Sequence, residues 1–246
     1  PISARGGRWR AAFPTGGPDA PRRVDGVPGP STVLAVRGGR GIVARGLQAQ
    51  AIVANGGPFA VDGGLVDLPA PVIDAAMDGT TAWLLHAEGM LTAVDVADRV
   101  HPVRLAVALQ RVPVTPDDAK HYVRIAVPAP GVLWQFGWTS GYRGSPEMAV
   151  TVWDVGQPAT PRLLFSVPIG GAVDLAWTDR RIVTLRNFNR SISLGVERSL
   201  AVFDATQLVR GMQGGTLALD GTPSRIALRG DHAFVVVRQR DGGAPD

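Results

Sequence analysis

The sequence predicts an all-β protein, a β-propeller of four-stranded blades. Apolar runs are short, rich in Val, Leu and Ile, and bounded by Gly, Pro, Asp or Asn, while helical periodicity is nearly absent. A strand–turn–strand unit also recurs, with turn markers 40, 52, 49 and 50 residues apart at Gly39, Gly79, Gly131, Arg180 and Gly230. A period of this length, with about four strands in each repeat, is typical of propellers.

The first element of each repeat is an apolar strand, a tight polar turn and a second apolar strand. We expect copies at residues 32–44, 72–85, 123–136, 173–185 and 225–237. A four-stranded twisted sheet cannot bury both of its faces alone, so such sheets are expected to pack against one another as blades.

A second element follows the first and consists of a strand, an Asp-led turn and a strand that begins after Pro. It occurs at residues 89–105 and 148–164, and a shorter copy at 199–205 keeps only the strand and its Asp. These segments resemble β-propellers of the LVIVD-repeat type, in which a strand ending in Val-Asp-Val precedes a Pro-containing turn. The resemblance covers Val72 to Leu219. It implies the propeller fold and, because the group is widespread among exported bacterial proteins, it also implies export.

The repeat predicts the domain organisation. Blades are expected at about 31–69, 70–112, 120–170 and 171–221, with a partial fifth blade at 222–246 and an N-terminal segment at 1–30. The strand at 8–13 is a candidate to complete the fifth blade. The sequence therefore predicts either five blades or part of a larger ring, and we favour a longer protein with further blades.

Composition excludes several classes of protein. The chain has no Cys, which removes disulfide scaffolds, Cys-ligated metals and thiol nucleophiles. Its 25 basic residues exceed its 21 acidic ones, but the arginines are spread along the chain, so we predict no nucleic-acid partner. No apolar stretch reaches the roughly 18 residues of a membrane-spanning helix. The lack of Cys also suits an extracytoplasmic location, in the periplasm, on the cell surface or secreted.

Residue types that carry catalysis or bind metals are scattered. The four His residues show no metal-binding spacing, and we expect turn or surface positions for them, with His86 in a hairpin turn. Asp95, Asp154 and Asp204 occupy equivalent turns of different repeats, where Asp accepts hydrogen bonds from nearby backbone N–H groups. The sequence therefore predicts no catalytic residue, no metal site and no cofactor.

Acidic and basic residues alternate at the start of the predicted innermost strands. Aligning these strands by their turns places Asp74, Arg124, Asp174 and Arg225 in equivalent positions of successive blades. Two interpretations stay open. The residues either form ion pairs that hold neighbouring blades together, or they line a polar mouth of the central channel that binds a small charged ligand.

Two turns are much longer than their equivalent in the second blade. They are expected to be loops at 137–147 and 187–198, which project side by side from one face. They carry aromatic and Arg residues, the types that anchor protein interfaces, namely Trp138, Tyr142, Arg143, Phe188 and Arg190. The loops either fold back over the propeller or form a partner-binding surface.

The sequence favours a non-catalytic propeller that acts as a protein-interaction or scaffold subunit of an exported or cell-envelope assembly. The alternative is a ligand-binding or enzymatic propeller with its site at the channel mouth. A third possibility is a binder of polyanions.

Overall fold

The computed structural model describes residues 2–5, 8–11, 32–53, 63–86, 89–108, 121–140, 146–170, 172–178, 180–191, 195–205, 213–230 and 232–238. These residues contain twenty β-strands. The first two, β1 (Ile2–Arg5) and β2 (Arg8–Ala11), pair with each other in a two-stranded sheet. The proposed role of residues 8–13 in the fifth blade stays a prediction.

Four sheets have four antiparallel strands each, hydrogen-bonded in chain order. Their strands are β3 (Thr32–Arg37), β4 (Arg40–Arg45), β5 (Gln48–Val53), β6 (Leu65–Asp67); β7 (Val72–Asp78), β8 (Thr81–His86), β9 (Leu91–Asp95), β10 (Val103–Ala108); β11 (His121–Ala129), β12 (Val132–Ser140), β13 (Pro146–Asp154), β14 (Arg162–Gly170); and β15 (Asp174–Trp177), β16 (Arg181–Ser191), β17 (Gly195–Asp204), β18 (Gln213–Ala218). A last pair, β19 (Thr222–Arg229) and β20 (His232–Arg238), forms a two-stranded sheet. One repeat of the sequence thus makes one sheet, which confirms the all-β fold with four-stranded blades.

The turn between the first two strands of a sheet explains why Gly recurs at the repeat spacing in the sequence. Gly39, Gly79, Gly131 and Gly230 have φ angles of 76°, 58°, 75° and 56°. Residues with a Cβ rarely adopt this left-handed conformation, so Gly is the natural choice for these tight turns. The spacing of the glycines therefore reports the spacing of the sheets.

The chain divides into two compact units, residues 1–137 with 152–164, and residues 138–151 with 165–246. In the first unit, the second strand of the second sheet is the centre of the core, because every residue of β8 is buried. One apolar cluster lies around Leu84 and Ile42, and another around Trp83 and Trp153. In the second unit, Ile182, Leu185 and Phe203 are among the buried residues.

Candidate functional site

Asp74 lies on β7 and binds the backbone of the next innermost strand. Its Oδ2 accepts a hydrogen bond of 2.8 Å from the backbone N–H of Ile125 on β11. Burial raises the pKa of the Asp74 carboxyl above its ordinary value of 3.8, and hydrogen bonds from Ile125 and Ala75 and the charge of Arg124 oppose that rise. The carboxylate therefore joins two neighbouring strands whose residues are 51 positions apart.

Asp174 repeats this arrangement on β15. Its Oδ2 accepts a hydrogen bond of 3.1 Å from the backbone N–H of Ile226 on β19. In both cases the donor is the residue that follows the predicted basic position, Arg124 or Arg225. The structure thus brings Asp74 to the strand of Arg124 and Asp174 to the strand of Arg225, but each carboxylate bonds a backbone amide.

A carboxylate that binds a backbone amide of the next sheet fits the interpretation in which Asp74, Arg124, Asp174 and Arg225 hold neighbouring blades together. An Oδ2 atom that accepts an N–H hydrogen bond stabilises the packing of two strands and is less available to an incoming ligand. Among the described residues, no group of three or more His, Asp or Glu side chains is placed to hold a metal ion. Ligand binding by Asp74, Arg124, Asp174 and Arg225 stays a prediction.

Two further contacts join neighbouring sheets at the opposite end of the innermost strands. The Oδ2 of Asp78 accepts a hydrogen bond of 2.8 Å from the backbone N–H of Gly131, and Nη1 of Arg37 donates one of 3.3 Å to the carbonyl of Met77. Sequence reasoning missed both contacts. The only signal was the position of Asp78 directly before the marker Gly79.

A buried polar network links the second and third sheets. Gln135 is buried in β12, where its Nε2 donates a hydrogen bond of 2.8 Å to the carbonyl of Gly89 and its Oε1 accepts one of 2.8 Å from Nε1 of Trp153. Such a network stabilises one particular packing because each unpaired group would be costly in the core. In the sequence, this network is indicated only by a single Gln inside the apolar run Val132–Phe136. A single polar residue does not indicate which groups it will bind.

His86 is the last residue of β8 and is buried, so the expected position in a hairpin turn or at the surface is wrong. Its Nδ1 lies 3.2 Å from the carbonyl oxygen of Pro71, and its Nε2 lies 2.9 Å from Oγ1 of Thr92. A neutral ring that donates from Nδ1 and accepts at Nε2 satisfies both contacts. Burial lowers the pKa of His86 below its ordinary value of 6.5, although the carbonyls of Pro71 and Ala70 oppose the shift.

Where the structure describes the two predicted long loops, at residues 137–140, 146–147, 187–191 and 195–198, they are strand. β12 and β13 have nine residues each, and β16 and β17 have eleven and ten, whereas β8 and β9 have six and five. The pairing of β16 with β17 runs from Arg181↔Asp204 to Ser191↔Gly195. The described residues of the insertions therefore lengthen the paired strands of two sheets, and we call residues 137–147 and 187–198 the extended hairpins.

The predicted partner-binding residues lie on these extended hairpins. Trp138 is on β12, and Phe188 and Arg190 are on β16, but their side chains are outside the described part of the structure. Tyr142 and Arg143 lie outside the described residues altogether. Partner binding by these residues stays a prediction, and the described residues of both segments are strand where a loop was expected.

Across the part of the chain that the structure describes, no helix is long and apolar enough to cross a membrane.

Comparison with known proteins supports the fold. No protein-family model matches the chain, and no curated protein matches it either. Among solved structures, the computationally designed Ika8 protein matches with a TM-score of 0.52 and 11% identity, over 87% of this chain and 57% of that one. Sqt1 of Saccharomyces cerevisiae, a WD40 or β-propeller-like protein, matches with a TM-score of 0.51 and 10% identity, over 80% of this chain and 52% of that one.

Such low identities show the fold alone. The chain spans about half the length of the solved structures that it matches. Together with the repeated four-stranded sheets, these matches show that the chain has a β-propeller fold.

Proposed function

We propose that this chain is a non-catalytic β-propeller that binds a protein partner and acts as an interaction or scaffold subunit. The observation that carries this proposal is the lengthening of the same hairpin in two consecutive sheets. β16 and β17 continue to pair as far as Ser191↔Gly195, although the equivalent β8–β9 hairpin ends within six residues. Two neighbouring elements of the same kind offer a partner a surface that the shorter hairpin lacks.

The residues of the extended hairpins suit an interface. Trp, Tyr, Phe and Arg contribute most of the binding energy at protein interfaces, and the two hairpins contain Trp138, Tyr142, Arg143, Phe188 and Arg190. The carboxylates of Asp74 and Asp174 already accept backbone hydrogen bonds, which supports a structural role for them over a catalytic one.

The proposal also includes an extracytoplasmic location and membership of the LVIVD-repeat type of propeller. The absence of Cys and the Val-Asp-Val segment with its Pro-containing turn support these two points. Fractionation of the native cells with an antibody against the chain tests the location. Recovery of the chain with cytoplasmic markers alone would contradict it.

Affinity purification with hairpin variants tests the interaction. The double variant Trp138→Ala, Phe188→Ala is expected to recover at least about tenfold less of the partner than the unchanged chain, because two large anchors are removed. Mass spectrometry of the eluate from the native organism measures that recovery. The matched control is Leu47→Ala, which removes an exposed apolar side chain, 54% accessible, from the short β4–β5 turn of the first sheet.

The variants must first have the same melting temperature as the unchanged chain. A lower recovery of the partner is then not explained by misfolding. If the hairpin variant and the Leu47 control recover the same amount of partner, the extended hairpins are not the interaction surface.

A further inference from the structure

A buried polar residue occupies the same position on the second strand of the second and the fourth sheet. In the second sheet it is His86, which follows the cross-strand partner of Asp74. In the fourth sheet it is Arg186, which follows the cross-strand partner of Asp174. Both side chains are buried, so each must find its hydrogen-bond partners inside the protein.

Both side chains bind the segment of chain that leads into their own sheet. Nδ1 of His86 lies 3.2 Å from the carbonyl oxygen of Pro71, directly before β7. Nη2 of Arg186 donates a hydrogen bond of 3.2 Å to the carbonyl of Ile169, ahead of β15. We call the first segment, residues 68–71, the His junction, and the second, residues 169–170 and 172–173, the Arg junction.

The His junction lies at the contact between the first and second sheets. Side chains alternate between the two faces of a strand, so His86 shares one face of β8 with Leu84. Leu84 belongs to the apolar cluster that the second sheet forms with Ile42 of the first sheet. The backbone N–H of Leu68, in the junction, donates a hydrogen bond of 2.8 Å to the carbonyl of Leu47. Release of the His junction would therefore loosen the packing of these two sheets.

The surroundings of Arg186 suit a permanent positive charge, and those of His86 do not. The guanidinium carbon of Arg186 lies 5.7 Å from the centre of the Phe203 ring, which is a cation–π contact. Cross-strand pairing places Val94 of β9 at the position that Phe203 has on β17. An aliphatic side chain offers no such stabilisation to a charged imidazole ring.

A protonated His86 would have no ionic partner among the described residues. The ring contacts only the carbonyl of Pro71 and the hydroxyl of Thr92. The carboxylates of β6, β7 and β9 accept hydrogen bonds from other groups, namely Asp67, Asp74, Asp78 and Asp95. The basic side chains of β3, β4 and β10 are exposed, namely Arg37, Arg40, Arg45 and Arg104. Burial accordingly lowers the pKa of His86, against the opposing effect of the carbonyls of Pro71 and Ala70.

From these observations we propose that the His junction is a pH-sensitive contact between the first and second sheets, closed while His86 is neutral and opened when the ring takes up a proton. A charged ring is better solvated in water than in a buried site without a counter-ion, so protonation favours the open junction. The Arg junction is the insensitive counterpart, because Arg keeps its charge throughout the accessible pH range. This inference goes beyond the proposed interaction function and does not depend on it.

The direction of the pH dependence follows from the two states of the His junction. In the open state His86 is in water and has its ordinary pKa of 6.5, whereas in the closed state burial makes the pKa lower. The open state therefore binds a proton at a higher pH than the closed state. The open fraction is constant above pH 6.5 and rises as the pH falls below that value.

Hydrogen exchange of the full chain measures the opening of each junction. The chain is labelled at pH 7.5 and pH 5.0, and protection is corrected for intrinsic exchange rates in peptides that cover residues 65–75 and 169–177. Protection of the first peptide is expected to fall at least about tenfold at pH 5.0, because an exposed His is then almost fully protonated. Protection of the second peptide is expected to change by less than about twofold, since Arg186 does not titrate.

His86→Gln is the variant that tests the ring. A Gln side chain can still donate a hydrogen bond to a carbonyl but takes up no proton, so protection of the first peptide is expected to be the same at both pH values within about twofold. His101→Gln is the matched control, because the His101 side chain is 79% exposed. It should retain the tenfold fall.

Three outcomes would overturn the proposal. Equal loss of protection in both peptides would show that acid destabilises the whole chain. Unchanged or higher protection of the first peptide at pH 5.0 would show that the ring stays neutral or that a carboxylate compensates its charge, such as that of Glu88, which lies outside the described residues. A tenfold fall that persists in His86→Gln would assign the opening to another group. The first two comparisons use the unchanged chain and hold even if the variant does not fold.

Discussion

Asp74 shows what a single carboxylate does between two strands of a propeller. It is half-buried, its pKa is raised by that burial, and it accepts the backbone N–H of Ile125. Keeping a charged group there costs free energy, and the hydrogen bond offsets part of that cost. A substitution of Asp74 removes both the cost of the buried charge and the gain from the hydrogen bond. Its effect on stability therefore depends on whether the new side chain can accept a hydrogen bond.

Replacing Asp74 distinguishes the hydrogen bond from the charge. Asp74→Ala is expected to lower the free energy of unfolding by about 1–3 kcal/mol, because the Ile125 N–H loses its partner. Asp74→Asn is expected to stay close to the unchanged chain at pH 7, since the amide oxygen still accepts and the buried charge is gone. Urea unfolding measures both. Asp67→Ala, at an exposed Asp on β6, is the control, and an equal loss in Asp67→Ala and Asp74→Ala would contradict a joining role.

Sequence reasoning predicted the alternation of Asp74, Arg124, Asp174 and Arg225 but not its hydrogen bonds. The alignment put these residues at the start of their strands, but in the structure only Asp174 begins its strand, and the other three lie inside β7, β11 and β19. The bonded atom depends on the register between two strands that are about fifty residues apart, and local sequence does not encode this register. In the structure the carboxylates reach the amides of Ile125 and Ile226.

At the scale of elements, the end of β8 depends on a neutral histidine. The His86 ring contacts Pro71 before β7 and Thr92 on β9, so it joins three segments of the second sheet. Burial lowers its pKa from the ordinary 6.5, so the unfolded chain takes up a proton at a higher pH than the folded chain. The contribution of His86 to stability is therefore complete above pH 6.5 and is lost as the pH falls below that value.

Melting at several pH values tests this linkage. The melting temperature is expected to fall between pH 7.5 and pH 5 by more in the unchanged chain than in His86→Gln, which has no proton to take up. His232→Gln, at an exposed position on β20, is the control and should retain the full decrease. Identical pH profiles of the unchanged chain and His86→Gln would show that the ring is not held neutral.

The extended hairpins show where local sequence misleads about an element. Residues 187–198 are rich in Asn, Arg and Ser, which are typical of loops, and they separate two apolar strands. In the structure, cross-strand pairs such as Asn187↔Arg198 and Asn189↔Val196 continue the ladder. Polar residues can continue an antiparallel ladder because its stability comes from pairing with the partner strand as well as from burial.

At the scale of the whole molecule, the basic residues are spread along the sequence. The 25 basic residues are partly offset by 21 acidic ones, for a net charge of +4. Arginines such as Arg37 and Arg104 donate to backbone carbonyls within the fold. A nucleic-acid interface needs many cations that meet phosphates together.

Salt titration on heparin tests the absence of such an interface. We expect a slope of log affinity against log salt smaller than about 3 in magnitude, whereas a protein with 6–10 phosphate contacts gives a slope of roughly 5–9. The double variant Arg22→Glu, Arg23→Glu, which reverses the charge of two adjacent arginines, is the control and should change the slope little. A steep slope that this variant abolishes would favour the polyanion alternative.

The sequence by itself determined the all-β class, the period of about fifty residues and the turns that separate the strands. These features are local, because a Gly with positive φ or a short apolar run acts within a few residues. Only the tertiary structure decided which atoms join the sheets, that His86 and Gln135 are buried, and that the described residues of the insertions are strand. These features depend on register and packing between residues far apart in the chain, and such contacts form only when the sheets stack.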